Sequence, residues 1–532
     1  MSTVDKNTVV KIRSGEVRES ETSDVVDEFE MKARVNEILN RWPTVGLAVG
    51  VVRNGSLEFF YGHGLADIES NTPITEDTVF RIASITKTFT AIAVMQLWEQ
   101  GLIDLDAPAN DYLRAYKLIP ARASFRPATV RHLLTHTAGI REVLHPLGLL
   151  RMRDLGETVK LGRPVPSLAE YYQGGLRIDA EPGTRWMYTN HGFATLGQIV
   201  EDVSEEPLDR YLREHIFEPL GMADTDLVRS GRVQSHLATG YDLRHNGARS
   251  VADYELVTLG GGGVYSTARD MARYLAALLG GGANENGRVL KPSTMATMFE
   301  PQYQPDSRIP GIGLAFSRAN LGGHLAVEHD GILPGFDSQI FLAPYDGVGV
   351  MAFANGARQG FHWLTPWVAG MLKQLLGVPD EVIRTDVPQH PEIWGDLCGW
   401  YHFSAHLTDP GKLAIGVGVE VFSRHGQLMI RALSPIPVLY RGFLLHPDDD
   451  LDPYVFRIDL SKFGLGTGRV IFSREPGVGT TAVHLDFGPI SFQKQPAIKN
   501  PRLLATCALG ALAVATAVTA LRRQRSRSYK EV

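Results

Sequence analysis

Two strand-like segments at opposite ends of a long helical stretch are the feature that most constrains the fold of this chain. The first segment, 45–64, turns at Asn54-Gly55, and the second, 337–356, turns at an Asp-Gly pair. Both dipeptides accept the positive φ angles of a tight hairpin, so each segment is predicted to form a strand pair. The two pairs predict one antiparallel sheet flanked by helices, with an all-helical subdomain inserted between them and a cleft where they meet. The predicted fold class is therefore α+β.

Changes in composition and in the pattern of apolar residues along the chain predict the domain organisation. Residues 1–23 are polar and lack the apolar core of a secretory signal, so we expect a disordered tail. A helical pattern opens the first domain, 24–384, which ends in a proline-rich linker that begins at Pro379. From 385 to 496, short apolar segments alternate with Gly, Pro, Asn or Asp. This texture predicts a C-terminal all-β, barrel-like domain.

An uncharged run near the end of the chain, 503–521, has the length of a membrane span. Its 19 residues would extend about 28 Å as a helix, close to the roughly 30 Å of a bilayer core. The run predicts a single transmembrane helix, a basic tail at 522–532 and association with a membrane. The side of the membrane stays open, because the basic flank favours a cytoplasmic carboxyl terminus while the missing signal points the other way. A helix docked on protein or lying at an interface is the alternative, because the run is rich in alanine.

Charge and cysteine content restrict the kind of partner. A formal net charge of −6 gives no broad basic surface, which argues against nucleic acid. The two cysteines, Cys398 and Cys507, cannot build a disulfide framework or a thiolate metal cluster. A small-molecule or peptide substrate, with no metal and no organic cofactor, is the expected partner. Assembly into a homo-oligomer through the β domain is an option that the sequence leaves open.

Ser84 and Lys87 form the first candidate for chemistry. Ser84 stands where a strand-like segment runs into an apolar helix, beside unpaired backbone N–H groups and the positive end of the helix dipole. Lys87 follows one turn later on the same face, where a desolvated amine could take the serine proton. The alternative is an N-cap serine followed by a solvated lysine, because the Ser-x-x-Lys spacing is common by chance.

Two further segments add candidates. Tyr188 and Asn190 belong to a loop that precedes an apolar helix, so both side chains are presented on one side. His329 and Gly331 belong to His-Asp-Gly at the start of the second strand pair, where glycine lets a substrate backbone lie against the strand edge.

These segments, with 128–140, 218–222 and 259–275, resemble the serine β-lactamase and penicillin-binding protein superfamily. The likeness is greatest to its class C β-lactamase, esterase and D-amino-acid-peptidase branch, and it covers roughly residues 30 to 378. Each motif is common by itself, whereas the combination in this order is specific.

The resemblance implies a covalent mechanism. Ser84 would be the acylated nucleophile, Lys87 its activating partner and Tyr188 the acid and base that relays a proton to the leaving group. Asn190 would bind a substrate amide. The substrate would be an ester, a D-amino-acid peptide or a β-lactam.

The strand side of the site would bind and polarise the substrate. The resemblance implies an oxyanion hole made by the backbone N–H groups of Ser84 and Ile332. His329 stands where many members have lysine, and it would hold Tyr188 in place or contact a substrate carboxylate. A largely neutral histidine at this position weakens the β-lactamase interpretation more than the esterase or peptidase one.

Three alternatives accompany this hypothesis. A penicillin-binding DD-peptidase or transpeptidase would pass the acyl group to a different acceptor. A non-catalytic scaffold or sensor would keep the fold alone, although the retention of all four polar side chains speaks against it. A metal site at His132 and His136 has suitable spacing but lacks a third ligand, so a structural role is predicted for both.

Overall fold

The computed structural model describes residues 28–142, 144, 157–357, 363–403, 416–434, 436–463, 466–486 and 488–504. The expected disordered tail, 1–23, and the basic tail, 522–532, lie outside these residues. The predicted domain boundary at 384/385 stays a prediction.

One antiparallel sheet organises the first domain. Both predicted hairpins contribute to it, and they meet where Gly46–Arg53 pairs with Val348–Ala354 at its centre. Among the described residues the sheet has seven strands, which in spatial order are Ser317–Leu321, His324–Leu333, Phe336–Ala343, Val348–Ala354, Gly46–Arg53, Ser56–Asp67 and Thr72–Pro73.

Helices cover both faces of this sheet because successive strand side chains point in opposite directions. Val49 faces one core, which helices Glu28–Arg41 and Leu364–Leu375 close. Its neighbour Ala48 faces the other core, which the inserted helices fill. The α+β layers therefore follow from the alternation of apolar residues along the strands.

The helix Thr86–Glu99 runs through the middle of the inserted region. It is buried on nearly every side from its first residue to Met95, which agrees with its apolar sequence. The other α-helices of the described residues between 100 and 363 are Val130–Leu134, Leu168–Tyr171, Asn190–Ser204, Leu208–Leu212, Gly231–Gln234, Leu259–Gly262, Ala268–Leu279 and Pro292–Phe299.

Small sheets tie this helical region together. The strand Val79–Arg81 comes shortly before the helix Thr86–Glu99 in the chain, and it pairs antiparallel with Tyr265–Thr267, which directly precedes the helix Ala268–Leu279. The pair therefore ties together the starts of the two helices. The remaining short strands are Lys117–Pro120 with Gly175–Ile178, Thr158–Lys160 with Tyr254–Leu256, and Gly356–Ala357 with Tyr241–Arg244 and Gly247–Ser250.

The C-terminal domain is a nearly closed β barrel. Its two edge strands, Phe443–Leu444 and His446–Pro447, are separated by Leu445 alone, so the two ends of the sheet come together. In the described part of the chain the strand order is Phe443–Leu444, Gln427–Ala432, Gly418–Arg424, Gly399–Phe403, Ile490–Gln495, Gly479–Leu485, Thr467–Glu475, Val455–Asp459 and His446–Pro447. The short helices Trp394–Leu397 and Pro437–Arg441 complete it.

Arg308 joins the barrel to the first domain. Its guanidinium donates to the Asp452 carboxylate at 2.7 Å and to the backbone oxygen of Phe472 at 2.8 Å. Asp306, two residues earlier, accepts hydrogen bonds from Arg308 and from Ser473 of the barrel. Because donors and acceptors come from both domains, the contact is specific rather than a loose tether.

The prediction of a transmembrane helix at 503–521, and of membrane association with it, is wrong. Within the residues that the structure describes, no helix combines the length and the apolar character that crossing a bilayer requires. Leu503 and Leu504 are exposed, and residues 505–521 lie outside the described residues. Alanine and threonine make the run only moderately apolar, so its length alone was not sufficient evidence for a membrane span.

Candidate active site

A strained turn presents Ser84. The residue lies in the 3₁₀ turn Ala83–Ile85, directly before the helix Thr86–Glu99. Ala83 has a φ of 49°, a left-handed conformation that costs a non-glycine residue free energy and persists where the surroundings enforce it. Thr86 enforces it here, because its hydroxyl donates to the Ala83 oxygen at 2.6 Å. Ser84 is half-buried, so part of the residue is accessible from outside.

The side chains of Ser84, Lys87 and Tyr188 converge as the motifs predict. Lys87 Nζ donates to Ser84 Oγ at 2.9 Å, and the Tyr188 hydroxyl donates to the same oxygen at 2.8 Å. Lys87 Nζ also lies 5.0 Å from the centre of the Tyr188 ring. Two groups that can exchange protons therefore contact one candidate nucleophile.

Lys87 is fully buried and has three acceptors. Besides Ser84 Oγ, its Nζ donates to Asn190 Oδ1 and to the Gly261 oxygen, both at 2.7 Å. Three acceptors match the three protons of an ammonium group. Burial lowers the pKa of Lys87 to about 8, although nearby carboxylates oppose the shift. The amine therefore becomes neutral within a pH range in which enzymes operate.

Tyr188 keeps its proton in the same surroundings. Burial raises the pKa of its phenol well above 10, so the hydroxyl is a donor at neutral pH. The ring stacks on His136, with 4.4 Å between ring centres. His136 Nδ1 accepts a hydrogen bond from the Thr189 N–H at 3.2 Å, which fixes the imidazole against the loop.

Asn190 begins the helix Asn190–Ser204 and places its side-chain amide beside Lys87. Its Oδ1 accepts from Lys87, and its Nδ2 donates to Glu157 at 3.2 Å. Because lysine only donates and the carboxylate accepts, these contacts define which end of the amide faces which partner. The predicted contact of Asn190 with a substrate amide stays a prediction.

The strand His324–Leu333 forms the opposite wall of the site. Its outer neighbour pairs with it only as far as Glu328, so residues 329–333 have a strand on one side only among the described residues. A Cβ on Gly331 would lie 2.8 Å from the Ser84 nitrogen, which shows how closely this edge approaches the turn. Ile332 is exposed on the same edge. An extended substrate could therefore add to the sheet beside Ser84.

His329 is buried and neutral. Its Nδ1 lies 2.6 Å from the Asp330 backbone oxygen, which can only accept, so Nδ1 carries the proton. Burial and the charge on Lys87 lower the pKa of His329 to about 4. The imidazole is therefore uncharged at neutral pH.

The sequence interpretation missed the buried groups behind Lys87. Glu142 accepts the Asn190 N–H at 2.6 Å, and Glu157 accepts from the Thr258 hydroxyl at 2.6 Å. Glu142 stands two residues after the 128–140 motif, which is a usable signal, whereas nothing in the sequence around Glu157 marks it. Both belong to segments without helical or strand periodicity, where burial cannot be read from the pattern.

Two of these carboxylates and a histidine form a cluster whose ligand atoms are of the types that bind a metal cation. The ligand atoms of Glu142, Glu157 and His191 lie within 4.8 Å of one another. Each carboxylate already accepts from Asn190 or Thr258, so the residues have another use. The expectation that His132 and His136 share one helix is wrong, because the helix Val130–Leu134 ends before His136.

The fold and the site together define a class. A sheet edge faces a serine whose hydroxyl accepts from a buried lysine and a tyrosine, which is an arrangement for acyl transfer by a serine hydrolase. The Beta-lactamase family model matches residues 34–366. The chain belongs to the β-lactamase family and is a serine hydrolase of that fold.

Relatives in this family differ in what they are named for. Esterase EstB of Burkholderia gladioli is 27% identical over 386 residues, which cover 64% of this chain and 94% of the esterase. A β-lactamase of Yersinia enterocolitica is 30% identical over 349 residues, 60% of this chain and 84% of that enzyme.

A solved structure shares both domains of the fold. The octameric penicillin-binding protein homologue from Pyrococcus abyssi matches with a TM-score of 0.56 and 24% identity, over 88% of this chain and all of that chain. At this identity the match shows the fold, and a homo-oligomer of the present chain stays a prediction.

Proposed function

We propose that this chain is a serine esterase, in which an uncharged ester acylates Ser84 and water then releases the acid. The observation that carries the proposal is the pair of hydrogen bonds that Ser84 Oγ accepts from Lys87 and Tyr188. A hydroxyl in this position has a base and an acid within reach on the same side of a half-buried cleft.

The proton path follows from the pKa order. Lys87 in its neutral form takes the Ser84 proton while Oγ attacks the ester carbonyl. The N–H groups of Ser84 and Ile332 are the proposed donors to the oxyanion. Tyr188 gives its proton to the departing alkoxide as the ester C–O bond breaks, and the Lys87 ammonium returns a proton to Tyr188. Water attack on the acyl-enzyme repeats these transfers in the opposite direction.

The neutral His329 supports an uncharged substrate. A penicillin-like carboxylate gains from a permanent cation at this position, and an imidazole with a pKa of about 4 does not supply one. The similarity to Esterase EstB over 94% of its length points the same way. Esters without a carboxylate beside the scissile bond are therefore the proposed substrates.

The test compares hydrolysis of p-nitrophenyl acetate with that of a chromogenic cephalosporin and a D-alanyl-D-alanine peptide. We expect the ester to be turned over fastest, with kcat/KM rising as the pH approaches about 8 and then levelling, because only the neutral amine of Lys87 accepts the serine proton. Ser84→Ala should lower ester turnover at least about 10³-fold.

Ser56→Ala is the matched control, because Ser56 is an exposed hairpin residue. An acyl mass increment on Ser84 in quenched samples would support the covalent step. Full activity of Ser84→Ala, or an increment at another residue, would refute the proposal. Faster turnover of the cephalosporin or of the peptide would refute the esterase assignment but leave the acyl-enzyme intact.

A further inference from the structure

A pair of buried carboxyl groups contacts Asn190, whose side chain in turn contacts Lys87. Glu142 and Glu157 are 8% and 4% exposed, and their ligand oxygens lie within 4.8 Å of each other and of the His191 ring. Two carboxylates this close in a buried place repel each other, so the pair resists carrying two negative charges.

Hydrogen bonds assign different roles to the two groups. Glu157 accepts from the Thr258 hydroxyl at 2.6 Å and from Asn190 Nδ2 at 3.2 Å, and both donors favour its charged form. Glu142 accepts from the Asn190 backbone N–H at 2.6 Å. Burial and the charge of Glu157 raise the pKa of Glu142 to about 7. Below this pH the pair therefore holds a proton, and its negative charge resides on Glu157.

Asn190 connects this charge to Lys87. Its Nδ2 faces the carboxylate and its Oδ1 faces Nζ at 2.7 Å, so the amide dipole is aligned to favour an ammonium at Lys87. The side chain of Asn190 therefore lies between the negative charge and the amine of Lys87.

His191 does not compete for this role. Its Nε2 lies 3.0 Å from the Glu142 backbone oxygen, which can only accept, so Nε2 carries a proton. Its Nδ1 lies 3.1 Å from the Tyr172 hydroxyl and can accept from it as a neutral ring. The described groups whose charge or titration acts on Lys87 from the elements around it are Glu142, Glu157, Asp330, His136, His329 and Tyr188.

We infer that Glu157 is a positioning residue: held by Thr258 and acting through Asn190, it keeps the proton on Lys87 in the resting enzyme and so sets the lower pH limit of the reaction. Glu142 is its partner: it holds a proton below about pH 7, and above that pH its own charge also favours the ammonium form of Lys87. The inference rests on the proposed function of Lys87 as the base that activates Ser84.

The test is the pH profile of kcat/KM for p-nitrophenyl acetate in the double variant Glu142→Gln/Glu157→Gln. Both carboxyls are replaced because Glu142, freed from the repulsion of Glu157, would otherwise ionise and restore the negative charge. Glutamine at 157 keeps an oxygen that accepts from Thr258, but the pair carries no charge, so Lys87 loses its proton more readily. We expect the acidic limb to move to lower pH by roughly one unit, the shift typical of losing one nearby opposite charge. At pH 6 the variant should therefore retain about tenfold more of its plateau kcat/KM than the native enzyme does.

Glu201→Gln is the matched control. Glu201 is a partly buried carboxyl on the helix Asn190–Ser204 that accepts from the Leu208 N–H, and its charge is not among those that act on Lys87. Its acidic limb should coincide with that of the native enzyme. Glu157→Asp, which restores the charge, should return the limb toward the native position even where kcat falls.

Thr258→Val gives a second, independent measurement if the double variant Glu142→Gln/Glu157→Gln does not fold. It removes the hydroxyl that stabilises the charged form of Glu157, so it should move the limb in the same direction by a smaller amount. Unchanged limbs in the folded variants, with Ser84→Ala inactive, would overturn the inference alone. Retained activity in Ser84→Ala would instead overturn the proposed function.

Discussion

Ser84 lies between two regions that contribute different kinds of groups to the same site. On one side, the strand edge 329–333 offers backbone groups and a neutral His329. On the other, the inserted region supplies Lys87 from a helix and the buried carboxyl pair from irregular segments. The strand side shapes the site and carries one carboxyl whose charge acts on Lys87, that of Asp330, whereas the helical side holds the groups whose protons move.

The difference indicates how one fold can serve several substrates. Changes on the strand side alter what binds, because an extended substrate meets that edge first. Changes on the helical side alter proton transfer for every substrate alike. A substitution on the strand side that changed proton transfer, or one on the helical side that changed substrate selection, would contradict this division.

The largest effect is expected from Lys87→Met on the helical side. Methionine has a similar length but no basic nitrogen, so kcat should fall about 10³-fold for any ester, within the range that general bases contribute. Steady-state kinetics with two esters of different acyl length measure it. Lys160→Met, at an exposed lysine, should leave kcat unchanged. A loss confined to one of the two esters would show that Lys87 selects substrate instead.

Gly331→Ala on the strand side should have the next largest effect. The added Cβ would lie 2.6 Å from the Ile82 oxygen and 2.8 Å from the Ser84 nitrogen, and these backbone atoms cannot retreat without moving the nucleophile. We expect kcat/KM to fall about 10²-fold and the melting temperature to drop.

Gly370→Ala provides the comparison for that glycine. Nothing lies within 4 Å of a Cβ at Gly370, which is inside the helix Leu364–Leu375. The melting temperature should stay or rise, since alanine favours a helix by about 1 kcal/mol over glycine. Native-like kcat/KM in Gly331→Ala would mean that the strand edge is not the wall against which Ser84 is positioned.

His329→Lys should have the smallest effect and the most selective one. A cation on the strand side should raise the ratio of kcat/KM for a p-nitrophenyl hemiglutarate to that for p-nitrophenyl butyrate about tenfold, which corresponds to roughly 1.4 kcal/mol. His324→Lys lies on the same strand, where the native residue pairs with Asp346, and should not change the ratio. Equal losses for both esters would place His329 in proton transfer.

Local motifs made much of this arrangement predictable. The hairpin at Asn54-Gly55 forms as expected because its turn residues accept positive φ, and Asn54 has a φ of 52°. The spacing of Ser84 and Lys87 places both on one face because a helix begins between them. The barrel-like domain followed from short apolar segments separated by turn residues.

Other features depend on contacts that no local pattern encodes. Glu142 and Glu157 approach Asn190 from separate irregular segments, and a glutamate in such a segment is normally exposed. A structural role is predicted for His136 because no third metal ligand is evident, but the sequence does not indicate that its ring stacks directly on Tyr188. The prediction of a membrane span was wrong for a related reason: the length of a run and its lack of charge do not show that it is apolar enough to cross a bilayer.

The two central strands of the sheet, Gly46–Arg53 and Val348–Ala354, are far apart in the chain, which delays their pairing during synthesis. Leu47 pairs with Ala354, so about 300 residues must leave the ribosome before the central strand finds its partner, which takes on the order of 15–60 s at typical rates of synthesis. During that interval the first hairpin has an unprotected apolar edge. Nascent chains of this protein should therefore need chaperone protection early, and truncations before 348 should aggregate rather than fold.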